Sequence, residues 1–448
     1  MTLSYRTLYG LVAAVFIVRF LLITILLPDG SSHFPDEISY SQLASIISAG
    51  GEWQHWNSGQ GATLVPANLA LLGPAALVIT SGIDPLASVR LVSIVLSALA
   101  QACLIWIIST IPAVKEERSP DRIRVLGWPM LAVSVFVLLP GSLFWNSLGL
   151  KESAVTLASL LAVAACIVFV RSERLVVRGA ALVVILGCVG LQMISRAYIA
   201  PALLLSVGVF LAWNAVNQAR AVSGHQRIRA LVPIVAAVGV VGLLGVLTLV
   251  GSGAAPSEQS SLASRVATSI GVQSPLQHLQ ALRSIRARTA TIGESGVVME
   301  ACAAVPAEGA ETLYCEAQRL PAAAASIITR PTWPIDDFDA LSPRWSRFGL
   351  AVQIDSLAST ALVVLVLVLA ATHRTRSRPL VATAVLYFTS VLIGLAFIEG
   401  NLGTWMRHRL MLLWPLCLLV ALTGVPRWPG RRAVAPPPAE EFTAGIGH

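Results

Sequence analysis

One pattern recurs along most of this chain: an apolar run of about 17–25 residues, then a short loop carrying arginine or lysine. As a helix rising 1.5 Å per residue, such a run covers the ~30 Å hydrocarbon layer of a bilayer. Backbone N–H and C=O groups find no water at that depth, so spanning segments must be helices that satisfy their own hydrogen bonds. Candidate spans lie at 8–27, 87–111, 125–143, 153–170, 179–195, 199–217, 230–250, 351–371, 380–398 and 408–424, about ten in all. A content of 56% hydrophobic against 12% charged residues agrees with this, as does a mean hydropathy of +0.76. The expected fold class is an all-α polytopic membrane protein. Its first run follows Arg6, is too long for a secretory signal and precedes Leu27-Pro28-Asp29-Gly30 rather than a small-residue cleavage site, so it reads as a signal anchor.

The net charge of +8 does not point to nucleic acid, because the cations sit in short clusters between spans. Those clusters set the topology. An eleventh apolar stretch, 61–82, contains Pro66 and Pro74. If it does not cross, the clusters at 115–124, 171–178, 220–229, 374–378 and 427–432 all fall with Arg6 on the cytoplasmic side. If it crosses, all five face outward. The charge rule favours the first arrangement, with 61–82 a re-entrant or surface-lying helix. Outside then lie loop 28–60, the turn at 146–152, Arg196, segment 251–350 and the turn at 399–409, which together hold most residues with chemical potential.

The expected organisation is a transmembrane core at 1–250 with an exofacial loop at 28–86, an exofacial cap at 251–350, C-terminal spans within 351–432, and a disordered cytoplasmic tail at 433–448 containing Pro436-Pro437-Pro438. Within the cap a helix is expected around 257–292. Cys302 and Cys315 form its candidate disulfide, worth ~3 kcal/mol by the chain-entropy model; two free thiols are the alternative. Cys103, Cys166, Cys188 and Cys417 lie in apolar runs, as small hydrophobes do.

Pro35-Asp36-Glu37 opens a stretch in which Ile38, Tyr40, Leu43, Ile46 and Ile47 recur at roughly helical spacing. Two acids there suit the first turn of an interfacial helix, where free N–H groups and the dipole favour negative charge. A carboxylate held ionised at that place also suits a general base. Lys151 and Glu152 read either as an exposed pair or as a phosphate-binding and positioning pair. Arg196 is either a snorkelling interfacial arginine or a phosphate ligand. Arg407, His408 and Arg409 either anchor to headgroups or grip a phosphate, which arginine does bidentately. His33 and His55 flank the acidic loop as solvated histidines or as members of a divalent-metal site. Trp53 and Trp56 suit an interfacial belt. Arg19, mid-span, should face the bundle interior.

Pro35-Asp36-Glu37-x-x-Tyr40 after the first span, Gly50-Gly51-Glu52-Trp53, a Pro-interrupted apolar segment and Arg90-x-x-Ser93 together resemble the GT-C superfamily of membrane glycosyltransferases, including protein O-mannosyltransferase- and aminoarabinose transferase-like enzymes of the bacterial cell envelope. Ser147 to Glu152 occupies the turn where relatives keep a second acid, with Lys beside Glu here. Asn401 to Arg409 resembles the family's basic outer turn.

The resemblance implies a GT-C-like bundle in the bacterial cytoplasmic membrane with its active site facing outward. It implies an inverting glycosyltransferase using a polyprenyl-phosphate-linked sugar donor and a glycan, lipid or protein acceptor, the lipid tail entering between helices. Asp36 would be the general base with Glu37 beside it. Lys151, Arg196, Arg407 and Arg409 would bind the donor phosphate. Glu152, His33, His55, Tyr40 and His408 would support them, and Asp36 with Glu152 would hold a divalent cation (Mg or Mn) if one is used. A polysaccharide polymerase or ligase and a lipid-linked-saccharide transporter are the alternatives.

Overall fold

A computed structural model describes residues 5–26, 35–59, 61–110, 127–196, 199–221, 310–329, 349–372, 377–398 and 402–422. These residues are helical with short turns and contain no strand. We number the helices α1 (Tyr5–Leu26), α2 (Pro35–Ser48), α3 (Gly61–Ala67), α4 (Leu69–Ile79), α5 (Pro85–Ser109), α6 (Trp128–Leu138), α7 (Pro140–Trp145), α8 (Glu152–Arg171), α9 (Leu175–Ser195), α10 (Ala200–Ala221), α11 (Ala310–Thr329), α12 (Gly349–Thr372), α13 (Arg378–Ile398) and α14 (Leu402–Leu422). Among the described residues, six helices are long and apolar enough to cross a membrane: α5, α8, α9, α10, α12 and α13. The chain is a helical membrane protein.

From His408 to Leu422, α14 is buried at every position. It packs against α5, α6, α7, α8, α12 and α13, which makes it the axis of the bundle. Trp414 lies against Tyr387 with ring centroids 4.7 Å apart, and the Tyr387 hydroxyl meets Ser159 Oγ at 2.9 Å. The outer helices turn large apolar side chains outward, including Leu175, Val176 and Val183 on α9 and Leu357, Leu367 and Val368 on α12. Those faces suit lipid.

Two proline-bearing stretches depart from simple spans. The stretch at 61–82 is two helices, α3 and α4, broken at Asn68, whose amide Nδ2 donates to the Leu64 carbonyl at 2.7 Å. With 11 residues, α4 is about 16 Å long and too short to cross. The span expected at 125–143 is also two helices, a correction with a clear cause. Pro140 has no N–H, and Leu139 before it is extended at ψ 132°, as a residue preceding proline prefers.

Helix ends sort into two groups. Glu37 near the start of α2 meets Arg90 near the start of α5, so between α1 and α5 the chain leaves and returns at the same end of the bundle. At the opposite end, Arg171 closing α8 donates to the Thr110 carbonyl closing α5 at 2.8 Å. In segment 251–350, helix α11 packs against α12, α13 and α14. There the Arg319 guanidinium donates to the Ala396 carbonyl at 3.0 Å. The expected span 230–250, the helix expected around 257–292 and the tail 433–448 lie outside the described residues, as does Cys302 of the expected disulfide.

Candidate functional site

The site is built on a buried turn. Between α7 and α8, residues Trp145 to Leu150 are all buried, so their backbone groups need partners inside the protein. Ser93 Oγ donates toward the carbonyls of Asn146 and Leu150 at 3.3 Å, and lies 3.0 Å from Ser153 Oγ. Ser153 in turn donates to the Asn146 side-chain oxygen at 3.0 Å. The Gly149 N–H donates to Glu37 Oε1 at 2.8 Å. Position 149 has no room for a side chain, since a Cβ there would stand 2.6 Å from Val89 Cγ1.

Glu37 is fully buried. Arg90 grips it with both prongs, Nε to Oε1 at 2.9 Å and Nη2 to Oε2 at 3.1 Å. With Gly149 as a third donor, this carboxylate joins α2, α5 and the α7–α8 turn and is sealed from the surface. The structure brings Glu37 to Arg90 and the turn rather than into the charged cluster beside Asp36. Tyr40, one turn on, is buried on the same side of α2. Burial and the nearby Asp36 and Glu152 carboxylates hold its hydroxyl above the usual phenol range.

What the turn positions is a charged cluster drawn from four separate parts of the chain. Asp36, at the start of α2, accepts from Arg407 Nη1 at 2.7 Å through Oδ2; Oδ1 has no hydrogen-bond partner among the described residues. Arg407 Nε lies 3.1 Å from Glu152 Oε1, and Arg196 Nη2 donates to that same oxygen. His408 Nε2 is 3.8 Å from it. Glu152 is buried in the first turn of α8, where the dipole favours an anion. Its Oε2 makes no hydrogen bond among the described residues. Lys151 is half-buried beside it and donates through Nζ to the Ser195 carbonyl at 3.2 Å. Burial, with Arg196 and Arg407 nearby, pushes the Lys151 amine down to about 7, against the opposing pull of Glu152 and Asp36. Two carboxylates thus face two guanidiniums and a lysine of variable charge.

Other expected members lie elsewhere. Arg409 is corrected out of the cluster: its Nε donates to the Ile327 carbonyl at 3.1 Å and its Nη1 to Ser356 Oγ at 2.7 Å. Asp355 Oδ2 stands 3.6 Å from it. Residues two apart on a helix point to nearly opposite sides, so Arg407 and Arg409 cannot share a ligand. His55 is exposed, with Glu52 at 3.8 Å. His33 lies outside the described residues. Arg19 faces the interior as expected; its nearest partners are neutral, Ser97 Oγ at 2.7 Å and the Ser142 carbonyl at 3.1 Å. Sequence reasoning passed over Asp355, whose Oδ1 accepts from the Gly141 N–H at 3.1 Å. An acid at the mouth of an apolar run was the available signal.

A divalent cation does not fit this donor set. The position between Asp36 and Glu152 is filled by the Arg407 guanidinium, and no group of three potential ligands occurs among the described residues. A groove of about 810 Å³ lies along α2, lined by Ile38, Gln42, Trp56 and Asp84 among others; it includes none of the cluster residues. Comparison with protein-family models, curated proteins and solved structures brings no match to this chain.

Proposed function

We propose that this membrane protein is an inverting glycosyltransferase of GT-C type. It moves a sugar from a polyprenyl-phosphate-linked donor to a cell-envelope acceptor at the outer face of a bacterial cytoplasmic membrane. The observation that carries this reading is the convergence of Asp36, Glu152, Arg196 and Arg407, with Lys151 alongside, at one end of the bundle. One half-exposed carboxylate stands there among cations. That is the combination needed to take a proton from a hydroxyl and to stabilise a departing phosphate. The outward orientation rests on the basic residues at the other helix ends, among them Arg171, Arg174 and Arg178.

In this reading Asp36 accepts the acceptor's hydroxyl proton as that oxygen bonds to the anomeric carbon. The bond from that carbon to the phosphate oxygen breaks on the opposite face, and the electron pair leaves with the phosphate. Arg407 and Lys151 stabilise the charge that develops there, and Arg196 keeps Glu152 neutralised beneath them. A single displacement of this kind inverts the anomeric centre. The test is sugar transfer by purified protein in lipid nanodiscs. Asp36→Asn should lower the rate ~10²–10⁴-fold. A folded Asp36→Asn protein with near-native transfer would remove the reading.

A further inference from the structure

Asp36 and Glu37 are neighbours in sequence, yet their ion pairs differ in kind. The Glu37–Arg90 pair is sealed, with side chains 0% and 2% exposed. The Asp36–Arg407 pair is open, with Asp36 47% and Arg407 17% exposed. Arg407 is also shared, since its Nε faces Glu152 while its Nη1 holds Asp36. Glu152 would remain compensated if Arg407 turned away, because Arg196 contacts the same oxygen. Asp36 would be rehydrated at little cost, since its side chain is already 47% exposed. Arg407 can therefore leave both carboxylates without stranding a buried charge, and of the two guanidiniums on Glu152 it is the one that also holds Asp36.

We propose that the Asp36–Arg407 contact is a latch that a phosphate group opens: the anion draws Arg407 off Asp36 Oδ2, so that the whole carboxylate, released from its counter-ion, faces the acceptor hydroxyl only once the phosphate is seated. This rests on the phosphate-linked donor reading above and adds an order to it. The donor binds first, and the acceptor hydroxyl is activated second.

The latch makes Asp36 a competitor of the ligand for Arg407, and that has a counterintuitive consequence. Removing the Asp36 charge should tighten phosphate binding. The experiment measures binding of farnesyl monophosphate, and separately of inorganic phosphate, to the full chain in nanodiscs by titration calorimetry. Asp36→Asn should bind about two- to fivefold tighter than the unmodified protein. Arg407→Gln should bind more weakly, and the double variant should show no gain over Arg407→Gln alone. A general rise in positive potential would give the same gain in both backgrounds, and that result overturns the latch. Equal or weaker binding by Asp36→Asn overturns it too, as does a lack of binding by the unmodified protein to both probes. Asp36→Ala serves as a second variant, with native gel-filtration behaviour required of each. A gain with both probes assigns the recognition to the phosphate itself; a gain with farnesyl monophosphate alone adds a requirement for the lipid. If the gain is present and sugar transfer is not, the glycosyltransferase reading falls and the latch stands.

Discussion

Adjacent residues on a helix point about 100° apart, and that angle divides Asp36 from Glu37. Glu37 turns into the bundle, where a bidentate arginine and a backbone N–H occupy it. Breaking a buried pair by removing one partner leaves a stranded charge and costs ~3–5 kcal/mol, whereas replacing both partners with apolar groups costs far less. Glu37→Met should therefore lower the unfolding midpoint in detergent sharply, and Glu37→Met with Arg90→Met should recover much of the loss. A double variant as unstable as the sum of the singles would show that the pair itself is not what the site depends on. Lys151 gives a prediction in pH. Its amine, pushed down to about 7, is cationic below that pH and neutral above it. Binding of a lipid phosphodiester, whose own charge is constant over this range, should weaken as pH rises through about 7. Lys151→Arg, charged throughout, should flatten the profile.

At the scale of elements, the turn between α7 and α8 sets the geometry. It carries Lys151 and Glu152 to Asp36 only because Gly149 lets the backbone lie against Val89. A Gly149→Ala side chain would push the turn away from α5. The expected cost is ~1–3 kcal/mol for overpacking, and if the proposed glycosyltransferase reading holds, transfer should slow roughly 10²-fold as the cluster is displaced. Thermal unfolding and the transfer assay check the two parts separately. The proline-bearing stretches are the other decisive elements. α3 and α4 are separate short helices broken at Asn68, and α2 and α5 start at the same end, where Glu37 meets Arg90. Much of this was legible in the chain: the parity of the basic loops favoured a re-entrant or surface-lying 61–82, with Pro66 and Pro74 inside it. The break at Pro140 carried the same signal within an apolar run long enough to hide it.

For the molecule as a whole, the helix ends separate chemistry from orientation charge. Ser81, exposed between α4 and α5, shares the cluster's end, while Glu173, exposed between α8 and α9, lies at the other. A cysteine at Ser81 should react with a membrane-impermeant maleimide in intact cells, and one at Glu173 only in inverted vesicles. The reverse pattern would turn the site to the cytoplasm and end the outward-facing proposal.

The chain by itself determined the class of fold, because runs of that length and hydropathy have few ways to satisfy their backbone beyond membrane-spanning helices. It also determined which residues gather at one end, because basic loops sort the helix termini. It did not determine which of those residues meet. Arg407 and Arg409 were equal candidates by composition and position, and only the packing of α14 at the bundle axis turned one toward Asp36 and the other toward Asp355. Asp36 and Glu37 were likewise one motif until Arg90 claimed Glu37. Side-chain direction in a bundle depends on how each helix is rotated against its neighbours, and that rotation is a property of the packed molecule.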